Sequence, residues 1–101
     1  MIGIGQKPMI LPVKYSKCSP LERRNIRLEY IKRQNNRCMY CNNLLTDPPP
    51  TDIETAYIDW SLFPENFLRH PVHLQHCHKT DYTEGAVHAK CNAYMWYYEG
   101  R

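Results

Sequence analysis

The sequence predicts a small α+β domain stabilised by zinc, and three observations predict it. Two pairs of metal-ligating side chains stand at knuckle spacing, Cys38-Met39-Tyr40-Cys41 and His88-Ala89-Lys90-Cys91. From Val72 to Glu99 the pattern reads strand, loop, strand, helix, and a well-signalled helix starts near Ser19, ahead of the first knuckle. A chain of 101 residues buries a smaller share of its surface than a larger domain does, so a structural metal is a natural supplement to its core.

The elements follow in chain order. Residues 1–18 read as a basic irregular arm, because Pro8 and Pro12 interrupt any period while Lys7, Lys14 and Lys17 add charge. Such an arm is expected to order on a partner. Residues 19–101 then read as one domain. Ser19, Pro20 and Glu22 supply an N-cap, a first-turn proline and a capping-box glutamate, which predicts a helix over residues 19–35. Leu21, Leu28 and Ile31 share one arc of it, Arg24 interrupts that arc, and Ile26 and Tyr30 point elsewhere, so the helix is expected to be half buried. Asn35 and Asn36 end it just before the knuckle at 38–41. The connecting segment 45–71 carries turn chemistry, and Pro48-Pro49-Pro50, Pro64 and Pro71 exclude a long helix. Its apolar residues, including Trp60, Leu62, Phe63 and Phe67, are expected to pack as core or as a lid.

Alternation from His70 to Cys77 predicts a strand with Val72, Leu74 and His76 on one face and His73, Gln75 and Cys77 on the other. Lys79 to Gly85 is polar enough for a turn, Gly85 to Ala89 suits a second strand, and Asn92 to Glu99 suits a helix closed by Gly100. His70 and His73 are expected to be surface or packing residues.

Charge and cysteine usage narrow the function classes. Residues 1–50 hold nine Lys or Arg against three acids, whereas residues 51–101 hold four against seven, so a net charge of +3 hides a strongly basic first half. That asymmetry fits a polyanion partner, and a merely solvated basic surface fits it equally well. On the helix, Arg23, Arg27 and Arg33 are the expected phosphate contacts, with a solvated face as the alternative. No stretch approaches the ~18 apolar residues of a membrane helix, and the first residues lack the basic-then-apolar layout of a secretory signal. A cytoplasmic protein is expected. Five cysteines can form two disulfides with one left over, but an odd count and two knuckle spacings fit a metal in a reducing compartment better. Cys38, Cys41, His88 and Cys91 complete the four nitrogen or sulfur ligands that zinc prefers. Cys18 and Cys77 have no partner at knuckle spacing and read as ordinary thiols.

The segment QHCHKTDYTEGAVHAKCN, residues 75–92, resembles the motif of HNH, or ββα-metal, endonucleases in the version used by the phage recombination endonuclease VII family. Written DHxHxTGxxRGxxCxxCN, that pattern aligns without a gap on His76, His78, Thr80, Gly85, His88, Cys91 and Asn92, with the upstream CxxC on Cys38 and Cys41. The resemblance spans residues 38–98. It implies a metal-dependent DNA endonuclease that hydrolyses phosphodiesters, acting as a monomer that nicks or as a homodimer that cuts both strands. His76 would be the general base, because an imidazole titrating near neutrality can take a proton from water. His78 would contact the scissile phosphate or complete a metal shell. Asn92, and Gln75 at the place of the family's aspartate, would hold a catalytic Mg2+ or Mn2+, a hard cation suited to oxygen ligands. Lys79 and Lys90, inside the motif, join the expected DNA contacts. The sequence departs from the pattern at Gln75, Asp81, Glu84 and His88, and Asp59 or Asp81 is the alternative source of a carboxylate. Two other readings are a noncatalytic zinc-dependent nucleic-acid-binding module, which Gln75 favours, and a zinc-stabilised protein-interaction domain.

Overall fold

The computed structural model describes residues 9–100. It is an α+β arrangement of helix α1 (Pro20–Arg33), a short helix α2 (Thr51–Glu54), strands β1 (Val72–His76) and β2 (Thr83–His88), and helix α3 (Ala89–Glu99). No helix among the described residues is long and apolar enough to cross a membrane.

α1 begins where its capping chemistry directs: the Ser19 hydroxyl accepts from the Glu22 N–H, the Glu22 carboxylate accepts from the Ser19 N–H, and Pro20 sits at the first helical position. Its buried stripe differs from the expected arc. Of the expected arc, Ile31 packs against the core but Leu21 and Leu28 are 64% and 50% exposed, whereas Ile26 is buried and Tyr30 packs against the core. The stripe was chosen by non-local partners: the Tyr30 hydroxyl meets Thr83 Oγ1 at 2.9 Å, and one turn later the Gln34 amide exchanges two hydrogen bonds with the backbone of Ala86. Positive φ at Asn35 and Asn36 then turns the chain out of the helix, a conformation asparagine tolerates better than most residues.

β1 and β2 form an antiparallel hairpin in which Val72 faces His88, Gln75 faces Gly85, and His76 faces Thr83. The register slips between Gln75 and His76, leaving Glu84 as the extra residue of a bulge in β2. Ala86 and Val87 are adjacent, hence on opposite faces, and both are fully buried, so the hairpin is covered on both sides. The outer edge of β2 is sealed too, by the Gln34 amide, by the Met39 N–H donating to Ala86, and by Val13 and Thr83 exchanging hydrogen bonds.

That last contact shows that the described part of residues 1–18, irregular as expected of an arm, packs on the hairpin without a partner. Residues 1–8 lie outside the described region, but Val13 and Lys14 lie along the hairpin and Tyr15–Lys17 forms a 3-10 turn against it. The Tyr15 N–H donates to the Asp81 carbonyl, and the Ser16 N–H and hydroxyl both donate to the Asp81 carboxylate. This anchoring also explains why β2 starts at Thr83 rather than Gly85. α3 starts at Ala89, three residues before the expected Asn92, because His88 ends the strand and caps the helix while the Ala89 N–H donates to Pro71. Gly100 closes α3 in the left-handed conformation.

Gly85 is where close packing is most demanding. A Cβ there would lie 2.8 Å from Gln34 Oε1 and 2.9 Å from Met39 Sδ, so even one methyl forces the Gln34 bridge or the knuckle to shift. Gly85→Ala is therefore expected to cost about 1–3 kcal/mol of stability by overpacking, read as a lower denaturant midpoint with an unchanged slope.

Candidate functional site

Two adjoining sites share the hairpin and the first turn of α3. The first is a cluster of Cys38, Cys41, His88 and Cys91, whose ligand atoms all lie within 4.8 Å of one another. Positive φ at Asn42 closes the first knuckle, with the Asn42 N–H donating to the Cys38 carbonyl, and the N–H groups of Tyr40 and Cys41 point at Cys38 Sγ at 3.4 and 3.5 Å. His88 and Cys91 come from the strand end and the helix start. His88 Nδ1 stands 3.4 Å from Cys41 Sγ and 3.6 Å from Cys91 Sγ. These are close to the ~3.5–3.8 Å ligand separations of a tetrahedral zinc site. The Nε2–H of His88 donates to the carbonyls of Asp47 and Leu44 at 2.7 and 3.0 Å, which fixes the tautomer and leaves the Nδ1 lone pair facing the thiols.

Electrostatics make the same point. The Cys91 thiol donating to Cys38 holds the Cys38 pKa well below the ordinary thiol range, with the N–H groups of Cys41, His88 and Tyr40 assisting against burial. Cys91 is pushed up by that same hydrogen bond and by burial, and Cys41 is pushed up chiefly by burial. Without a cation, the cluster favours one thiolate. A dication lets all three ionise, so these residues are positioned to hold a metal, and three thiolates with one imidazole suit zinc.

The second site is a groove of about 660 Å³. α1 and the ordered arm contribute Arg23, Arg27 and Tyr15 to its lining, β1 and the turn contribute His73, Gln75, His76 and His78, and Leu62, Phe63, Phe67, Asn92 and Trp96 line the rest. Cys91 and Asn92, adjacent on a helix and thus about 100° apart, face the metal cluster and the groove respectively.

His76 stands inside a stacked column. Its ring lies 3.9 Å from that of Tyr15 and nearly parallel to it, the His78 ring lies 4.7 Å away, and the Arg23 guanidinium covers the Tyr15 ring at 3.9 Å. Burial depresses the His76 pKa below its ordinary value, and the neighbouring His78 adds to this, outweighing the pull of Asp81 and Glu84 in the other direction.

His73 has a role that sequence reasoning missed. Its Nε2–H donates to the Phe67 carbonyl at 2.8 Å, so Nδ1 carries the lone pair, and Nδ1 meets the Asn92 amide at 3.1 Å. Burial also depresses its pKa, so it stays neutral and available as a ligand. The signal in the sequence was its two-residue offset from Gln75, which puts both on one strand face.

Several expected site residues are placed elsewhere. Gln75 is only 3% exposed and its amide N–H donates to the carbonyl of His76, supporting the bulge. The same bulge nonetheless brings Gln75 and His76 to one groove. Arg33 is not in the groove wall; it pairs with Glu29 at 2.8 Å and donates to the Met9 carbonyl. Lys90 pairs with Glu54 beside Pro71 and His88, outside the groove, and Lys79 sits exposed on the hairpin turn, also outside it. Asp81 is occupied by Ser16, and Asp59 caps the 3-10 turn Trp60–Leu62 through Ser61, so neither supplies the missing carboxylate. None of the residues lining the groove is an acid. A scan against protein-family models and searches of curated proteins and of solved structures found no match to this chain.

Proposed function

We propose that the chain is a zinc-stabilised, metal-dependent DNA endonuclease of the ββα-metal kind, hydrolysing phosphodiesters with His76 as general base. The observation that carries this reading is the His76 column, a neutral imidazole in a groove with two arginines, next to a second pair of convergent donors. The hairpin followed directly by a helix that supplies both Cys91 and Asn92 supports it further. Arg23 and Arg27, which form no ion pair among the described residues, would bind the phosphate, and Tyr15 would hold the His76 ring against rotation.

A catalytic Mg2+ or Mn2+, when bound, supplies charge neutralisation at the phosphate and at the leaving oxygen. His73 and Asn92 are the donors this chain offers. His73 would hold the ion through its Nδ1 lone pair and Asn92 through its amide oxygen, once the Asn92 amide N–H releases His73 Nδ1. A nitrogen donor in place of a carboxylate favours Mn2+ over Mg2+.

In this reaction His76 takes a proton from the attacking water and must be neutral to do so. Because its pKa lies below 6.5, more than half of it is already competent at pH 6.5. Cleavage of an end-labelled DNA fragment should therefore show an acid limb of unit slope centred below pH 6.5. A limb centred above pH 7 contradicts His76 as base. The absence of any acid in the groove lining favours, as a second reading, a noncatalytic DNA-binding module; such a protein binds the fragment and leaves it intact at every pH.

A further inference from the structure

Beside Arg23 and Arg27 the groove lining includes a surface that phosphodiester hydrolysis does not call for. Leu62, Phe63, Phe67 and Trp96 line it, and the rings form one run: Trp60 on Phe63 at 5.3 Å, Phe63 on Phe67 at 4.9 Å, and Phe63 edge-on to Trp96 at 5.2 Å. Trp96 and Leu62 remain 45% and 58% exposed, so the run is not consumed by the core. Two arginines and a run of aromatic rings lining one groove, with no acid among the lining residues, match a ligand that carries both a negative backbone and flat apolar rings.

From this we infer that the groove takes single-stranded DNA, seating unpaired bases against Phe63 and Trp96 while Arg23 and Arg27 hold the phosphates. The inference rests on the nuclease reading for its polyanion and goes beyond it in naming the substrate class. In a duplex the base faces are stacked inside and only grooves and phosphates are presented, so the aromatic wall would meet nothing it can stack on. An unpaired nucleotide offers a π-face whatever its sequence. The volume, about 660 Å³, lies in the ~300–1,000 Å³ range of sites for small ligands, room for a nucleotide or two and not for a double helix.

The test uses the full zinc-loaded chain with Ca2+ in place of Mn2+, and three fluorescein-labelled 12-mers: a DNA strand of mixed sequence, its duplex, and the RNA strand. The expected result is that the DNA strand binds at least tenfold more tightly than the duplex. Trp96→Ala should cost about tenfold on the strand, in line with one lost base stack, and Trp96→Phe should restore most of it. Trp96 is half exposed, so these variants keep the fold, which their metal content and circular dichroism verify. Duplex binding as tight as the strand's, or strand binding indifferent to Trp96→Ala, overturns this inference while leaving the nuclease reading intact. Tighter binding of the RNA strand overturns the assignment to DNA. Failure to bind any of the three overturns both readings together.

Discussion

Cys91→Ser is expected to release the metal and unfold the domain. Cys91 is completely buried, its Sγ stands 3.6 Å from His88 Nδ1, and it opens α3 at the point where the helix leaves the hairpin. Binding at structural zinc sites contributes on the order of 10–16 kcal/mol, whereas the whole stability of a small domain is about 5–15 kcal/mol. Losing the metal therefore removes as much free energy as the fold has in reserve. The core gives no independent support here, since Cys38 and Cys91 belong to the same cluster as Leu45, Val87 and Met95, and Cys41 packs against it. Elemental analysis and circular dichroism check it: wild type should carry one zinc per chain and melt cooperatively, and Cys91→Ser should carry none and show no melt at ordinary temperature. Cys77→Ser provides the contrast. Cys77 lies beside the hairpin turn and is not among the clustered thiols, so its variant should keep both metal and fold.

His76→Ala is expected to lower cleavage by about 10²–10⁴-fold, the usual worth of a positioned general base. The ring is half-buried and, among the described residues, makes no hydrogen bond and only stacks on Tyr15 and His78, so the loss should fall on activity with little change in melting temperature. His73→Ala should behave differently. Its Nδ1 lone pair is one of the two donors proposed for the catalytic ion, so this variant should need a higher Mn2+ concentration and recover part of its rate when that is supplied. No excess of Mn2+ should rescue His76→Ala. Activity measured against Mn2+ concentration separates the two roles.

The residues that were legible in the sequence are those whose partners lie close in the chain or whose chemistry is spelled by spacing. Ser19, Pro20 and Glu22 define the start of α1 within four residues, and the two knuckles announce a metal cluster by composition alone. The illegible part is long-range. Tyr15 meets His76 across 61 positions and Tyr30 meets Thr83 across 53, so neither the value of the arm nor the buried stripe of α1 could be read from local periodicity. The setting of Gln75 is illegible for a related reason. Motif register says which residue occupies the ligand position, but the bulge at Glu84 decides where its amide points, and that amide serves the backbone of His76. His73 fell outside the motif and was set aside as packing, although strand alternation had already put it on the Gln75 face. The two lysines inside the motif, Lys79 and Lys90, were grouped with the DNA contacts by sequence proximity alone; Lys90 is drawn away by Glu54 on α2.

The most direct test of the proposed nuclease is the fate of supercoiled plasmid and of single-stranded circular DNA incubated with the purified zinc-loaded chain, with Mn2+ and with EDTA at a level that spares the structural metal, beside His76→Ala. Nicked or linear product from wild type that requires Mn2+ and is lost in His76→Ala is the predicted result. Both DNAs left equally intact by wild type and variant, with both proteins folded and both bound to the single strand, would contradict the enzyme reading and leave a DNA-binding module in its place.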